Sequence, residues 1–127
     1  MRLRLFIAAV TLGAIATPAI AGAFIGGNVN TASVSPPGSP LQVRAQPKAS
    51  ALSLGFILDG DPISLTGACK QFGPAGQLLK NFNIKTLTAA KANAKIHGPR
   101  IWCHTLFEPT PGNPVAGWVN AKFVDLN

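Results

Sequence analysis

Apolar and polar positions alternate in short runs over much of the chain, and glycine, proline and aspartate separate the runs. Leu41-Gln42-Val43 alternates, residues 47–50 read as a turn, and Leu52-Ser53-Leu54-Gly55-Phe56-Ile57-Leu58 resumes the apolar run. Asp59-Gly60-Asp61-Pro62 is a turn signal, and Ile63-Ser64-Leu65-Thr66 alternates again. Further on, Ile101-Trp102-Cys103-His104-Thr105-Leu106 repeats the pattern, residues 109–114 form a turn, and Gly117-Trp118-Val119 begins a last strand. A period of two buries one face of a strand and wets the other. The pattern therefore predicts an all-β fold of short antiparallel strands, a small barrel or sandwich. Closing a barrel also removes the unpaired edges through which such strands associate. No repeat of solenoid length is present.

Three stretches depart from this texture. Arg2 and Arg4 precede an apolar run over residues 5–16, and Ala19-Ile20-Ala21 and Ala21-Gly22-Ala23 offer the small residues a signal peptidase reads. That order predicts a signal peptide over residues 1–21, cut after residue 21 or 23. The alternative is an uncleaved membrane anchor, since the uncharged stretch continues to Ile25 and about 20 apolar residues span a bilayer. Residues 22–40 carry no charge and include Ser35-Pro36-Pro37-Gly38-Ser39-Pro40, which reads as a flexible linker. Its prolines cannot donate to a strand ladder. Residues 70–100 hold six cations (Lys70, Lys80, Lys85, Lys91, Lys95 and Arg100) and no carboxylate. Within them, residues 83–96 are rich in alanine and lysine. Asn83 can act as an N-cap and Gly98-Pro99 as a stop, so a short helix competes there with an irregular or hairpin loop.

At 127 residues the chain has room for one folded domain. Charged residues make up 12% and hydrophobic ones 47%, which excludes a wholly disordered chain. Eleven lysines and arginines against four carboxylates give a formal charge of +7, so an electrostatic partner should be anionic. Export argues against nucleic acid, and aromatics are few among the lysines, with Phe72 and Phe82 in residues 70–95. An anionic membrane surface or a wall polymer is the matching partner for a cationic segment made of Lys80, Lys85, Lys91, Lys95 and Arg100.

The supply of groups for chemistry is thin. Cys69 and Cys103 are the only cysteines, and in an exported chain an even pair reads as a disulfide. The rival reading is a nucleophilic or metal-binding thiol. Cys103 and His104 are sequence neighbours, so on a strand they point to opposite faces and do not form a nucleophile–base pair. Asp59 and Asp61 flank a turn glycine, where carboxylates satisfy backbone donors. They fall short of the 6–8 oxygens that calcium takes. His97 and His104 fit no zinc spacing with the cysteines. No catalytic residue, metal or cofactor is expected. Trp118 reads either as a core filler or as a stacking platform for a ligand, and Trp102, beside a bridged cysteine, as packing on the sulfurs.

The ordered set Leu41-x-Val43-Arg44-x-x-Pro47, Gly55, Gly60-x-Pro62-Ile63-x-Leu65 and Gly117-Trp118-Val119 with Phe123-Val124, together with Cys69 and Trp102-Cys103, resembles the bacterial SH3-like (SH3b) domain. The likeness is to a secreted, disulfide-containing subgroup, and it covers residues 41–124. It implies a small SH3-like barrel of five or six strands over residues 41–127, with Val43, Ile63, Leu65 and Val119 facing the core. It also implies that Gly55 and Gly60 serve turns and that Gly117-Trp118 starts the penultimate strand. The spacing between the cysteines exceeds the family's short turn, so residues 70–100 look like a basic insertion.

Together these readings point to a periplasmic or secreted, non-enzymatic binding module. It would dock on peptidoglycan or an envelope protein through a groove near Trp118 that takes in Arg44 and Phe123. The alternative is an accessory subunit of a periplasmic or membrane complex, in which the barrel is scaffold.

Overall fold

The computed structural model describes residues 31–35 and 38–127. The expected signal segment, and residues 22–30 and 36–37 of the expected linker, lie outside the described residues. The alternating runs become strands as read. They are β1 (Ala32–Val34), β2 (Leu41–Arg44), β3 (Ser53–Ile57), β4 (Pro62–Phe72), β5 (Leu78–Asn83), β6 (Ile101–Thr110), β7 (Asn113–Asn120) and β8 (Val124–Leu126), with one helix, α1 (Ala89–Ile96), and a 3-10 turn at Ala121–Phe123. All pairings are antiparallel, in the order β3-β2-β7-β6-β4-β1-β8, and β5 also pairs with β4.

The result is an antiparallel sheet curled into a half-barrel. Its curvature comes from β4, eleven residues long, which pairs with β6 along one edge and with β1 and then β5 along the other. Between those two partners the ladder to β6 shifts register, from Leu65↔Thr105 to Cys69↔Cys103. Gly67 sits in that bulge at φ +105°, and a Cβ there would lie 2.9 Å from Asn83 Oδ1. A bulge with glycine at positive φ bends and twists its strand.

The concave face carries the core. Val43, Ile63, Leu65 and Val119 are buried, as the resemblance implied, and so are Cys69 and Cys103. The two cysteines face each other across β4 and β6 with Cα atoms 4.1 Å apart, and they form the disulfide. A bridge of this kind persists in an oxidising compartment. Among the described residues no helix is long and apolar enough to cross a membrane.

Several expectations are corrected. Ala32–Val34 falls in the expected linker yet forms β1, because Ala32 and Val34 turn inward between β4 and β8. Residues 70–100 are not a loop thrown out from the barrel. They comprise the end of β4, the β5 hairpin and α1. The helix starts at Ala89, capped by Thr88, whose hydroxyl accepts from the Lys91 N–H at 3.3 Å. Asn83 caps a turn instead, accepting from the Lys85 N–H at 2.7 Å. Alanine propensity and the inward pair Ala92 and Ile96 hold α1 against β6 and β8. Gly55 lies inside β3 at a register shift with β2 rather than in a turn, with φ +145°, and a Cβ there would lie 3.1 Å from the Phe107 ring. The β7 strand begins at Asn113, so Gly117-Trp118 lies in its second half.

Candidate functional site

Strand alternation decides what the convex face displays. In β6, Ile101, Cys103 and Thr105 point inward and are buried, so Trp102 and His104 point outward. In β7, Gly117 and Val119 are buried, so Trp118 and Asn120 point outward. The register sets these residues in two rows across the sheet. One row is Asn81, Lys70, Trp102 and Asn120; the next is His104, Trp118 and Arg44. Trp102 therefore stands on the face opposite the disulfide, which corrects the expectation that it packs on the sulfurs. Both indoles are half-buried on the outer surface.

Among the described residues, three of the clefts on this face concern the tryptophans. The largest, about 630 Å³, lies between the loop after β2 and the turn after β4, with Trp102 and Asn120 lining it and Lys48, Arg100 and Lys122 among its cations. A smaller one of about 210 Å³ shares Trp102, Asn120 and Ala49 with it and adds Arg44 and Phe123. The third, about 460 Å³, is lined by Trp118, Lys70, Asn81 and Phe82.

Arg100 is held firmly at the rim. Its carbonyl accepts from the Phe72 N–H at 2.9 Å, and its own Nε donates to the Phe72 carbonyl at 3.3 Å. Among the described residues it is the one non-glycine residue with positive φ, +55°. That conformation costs about 1 kcal/mol or more for a residue with a Cβ, and the paired bonds to Phe72 hold the guanidinium at the cleft in spite of it.

Around Trp118 the contacts are different. Lys70 Nζ lies 5.7 Å from its ring centroid and donates to Asn81 Oδ1 at 2.7 Å. The His104 ring meets Trp118 edge to face at 5.1 Å, and His104 Nδ1 shares a hydrogen bond of 2.9 Å with the Thr66 hydroxyl. Burial of the imidazole lowers its pKa below the ordinary histidine value.

The residues expected to act together are thus distributed. Arg44 and Phe123 line one cleft and Trp118 another, although Arg44 and Trp118 are paired across β2 and β7. Of the cations in residues 70–100, Lys80 and Lys95 both stand over the Phe82 ring, at 5.6 and 5.8 Å. Arg100 belongs to the Trp102 cleft instead. Lys85 lies in the turn before α1 and Lys91 on its exposed side. Sequence reasoning missed Trp102, Asn120, Lys48 and Lys122 as lining residues. The signal for Trp102 was present, since a buried Cys103 puts its neighbour on the opposite face.

Groups that support chemistry do not converge. His97 closes α1, where its Nε2 donates to the Val124 carbonyl at 2.6 Å and lies 3.4 Å from Asp125 Oδ1. Among the described residues no three histidine, cysteine, aspartate or glutamate side chains are placed to share a metal ion. Compared with protein-family models, curated proteins and solved structures, the chain finds no match.

Proposed function

We propose that the chain is an exported, non-enzymatic binding module of the bacterial cell envelope that docks on peptidoglycan through the convex face of its sheet. The observation that carries this reading is the outward placement of both tryptophans, each beside cations and an open cleft. A large ring left half-exposed on a sheet face, with polar groups converging on it, is the usual make-up of a recognition surface. Cationic residues next to the rings suit a wall polymer that bears carboxylates. Three facts support a binding role over catalysis. The cysteines are bridged, His104 is engaged with Thr66, and His97 is engaged with Val124. The ordered motifs shared with SH3b domains support the same reading.

The second reading, an accessory subunit of an envelope complex, is favoured by one observation. Strand β3 is an edge of the sheet, and Phe56 on it and Leu52 and Leu58 beside it are 56%, 72% and 53% exposed. An apolar edge is a template for a partner's strand.

Sedimentation with insoluble peptidoglycan separates the two. The wall reading expects the protein in the pellet, and expects Trp118→Ala to reduce that fraction with an unchanged melting curve. Absence from the pellet, with one envelope protein captured in near-equal amount from a solubilised envelope, would replace it with the subunit reading.

A further inference from the structure

The two clefts that share Trp102 carry a charge pattern that the rest of the face does not. Arg44, Lys48, Arg100 and Lys122 rim the indole, and none of the chain's four carboxylates lines either cleft. Arg44 and Lys48 lie four residues apart, but Arg100 and Lys122 come from distant parts of the chain, and only the fold gathers the three segments around one ring. Lys48, Arg100 and Lys122 are exposed, and among the described residues none of them has an ion-pair partner, which suits an anionic ligand. The floor supplies what a sugar chain needs besides charge. The indole offers a flat apolar face for the C–H side of a pyranose ring, and the Asn120 side-chain amide is both donor and acceptor for hydroxyls. A cavity of about 630 Å³ lies within the range of about 300–1,000 Å³ typical of ligand sites.

We infer that the cleft around Trp102 binds an acidic glycan, with ring stacking on Trp102 and carboxylates paired to Arg44, Lys48, Arg100 and Lys122. The inference rests on the reading of the chain as an exported binding module and names the ligand class for one part of its convex face. A protein strand fits this place less well, because the strands on its floor, β6 and β7, have neighbours on both sides, and strand addition needs a free edge. A single-stranded nucleic acid would also stack and pair with cations, and it enters as an arm of the test.

The test titrates the full chain, followed by calorimetry and tryptophan fluorescence, with three probes: an oligogalacturonate, the same oligosaccharide methyl-esterified at its carboxylates, and a short oligothymidylate. The oligogalacturonate should bind, the ester and the oligothymidylate should each bind at least about tenfold more weakly, and binding should weaken steeply between about 0.1 M and about 1 M salt. Trp102→Ala should lose at least about tenfold and Trp102→Phe less, because a ring is retained. The double variant Lys48→Ala/Lys122→Ala changes two exposed side chains, so it keeps the fold and should lose at least about tenfold as well. No binding, equal binding of the ester, equal binding of oligothymidylate, or wild-type binding by the lysine variant would each overturn the inference. Running the same proteins against peptidoglycan keeps the two levels apart. Wall binding that survives both variants would overturn the cleft assignment and leave the docking function standing. Oligogalacturonate binding without wall binding would uphold the cleft and remove the docking function.

Discussion

Replacing Cys69 and Cys103 together by alanine removes the covalent tie between the two longest strands, β4 and β6. The residues are 34 apart in sequence, and in the chain-entropy account a loop of that length is worth about 4 kcal/mol through restriction of the unfolded chain. The sulfurs are buried, at 1% and 0% exposure, so truncation also leaves small voids in the core, adding about 1–2 kcal/mol. A loss of this size is a large part of the roughly 5–15 kcal/mol that holds a domain folded. For a domain near 100 residues it corresponds to a fall in melting temperature of about 20 °C or more. The assay compares thermal and urea unfolding of the oxidised protein, the protein reduced in denaturant and refolded with its thiols counted, and the double alanine variant. Reduction isolates the cross-link and the variant adds the voids. A shift below about 5 °C after confirmed reduction would refute the reasoning, since the bridge would then constrain nothing that the sheet does not already hold.

Other sites give sharper local tests. A Cβ on Gly117 would lie 2.5 Å from Val43 Cγ1 and 2.9 Å from the Arg44 carbonyl, so Gly117→Ala should cost about 2–3 kcal/mol in urea unfolding as β2 and β7 are pushed apart. Asn93 grips the last strand twice, its Nδ2 donating to the Leu126 carbonyl at 3.0 Å and its Oδ1 accepting from the Leu126 N–H at 2.8 Å. Asn93→Ala should lower stability by about 1–2 kcal/mol, after the gain in helix propensity is deducted, and should speed exchange of the Leu126 amide. The lowered pKa of His104 means that the unfolded chain takes up its proton at higher pH than the native one. Its contribution to stability is therefore complete above about pH 6.5 and falls as pH drops from there towards the native pKa. Stability measured across that window should fall less steeply in His104→Gln than in the wild type, and identical slopes would show that the ring is not desolvated.

The half-barrel was legible where one face of a strand is buried. In residues 41–44 and 63–66 the alternation names the inward residues directly, and Val43, Ile63 and Leu65 are where it puts them, whereas in residues 101–106 apolar side chains fall on both faces and Trp102 points outward, away from the sulfurs. It was not legible in Leu78–Asn83. That strand lies at an edge with leucines on both faces exposed, Leu78 48% and Leu79 56%, so a buried face with a period of two never develops. β1 is hidden for another reason, because three residues among serines, glycines and prolines carry too little pattern, and β4 and β8 supply the pairing. Asn93 counts against a helix by propensity, yet its amide bonds the Leu126 main chain and ties α1 to the sheet, a tertiary contact overriding a local preference. The site was half legible. Each cation and each tryptophan is visible in the sequence, but Arg44, Lys48, Arg100 and Lys122 come together only through the sheet register and the turn at Arg100.

The central claim is that the convex, tryptophan-bearing face is the docking surface. Its most direct test is a two-dimensional nitrogen–proton NMR titration of the labelled protein with soluble peptidoglycan fragments. The two tryptophans, Trp102 and Trp118, give two indole N–H signals. The account expects one or both indole signals to shift, along with the amides of residues 102, 104, 118 and 120, while the buried amides of β1 and β8 stay in place. Fragments that leave both indole signals unmoved, or that shift only residues 52–58 along the β3 edge, would contradict it.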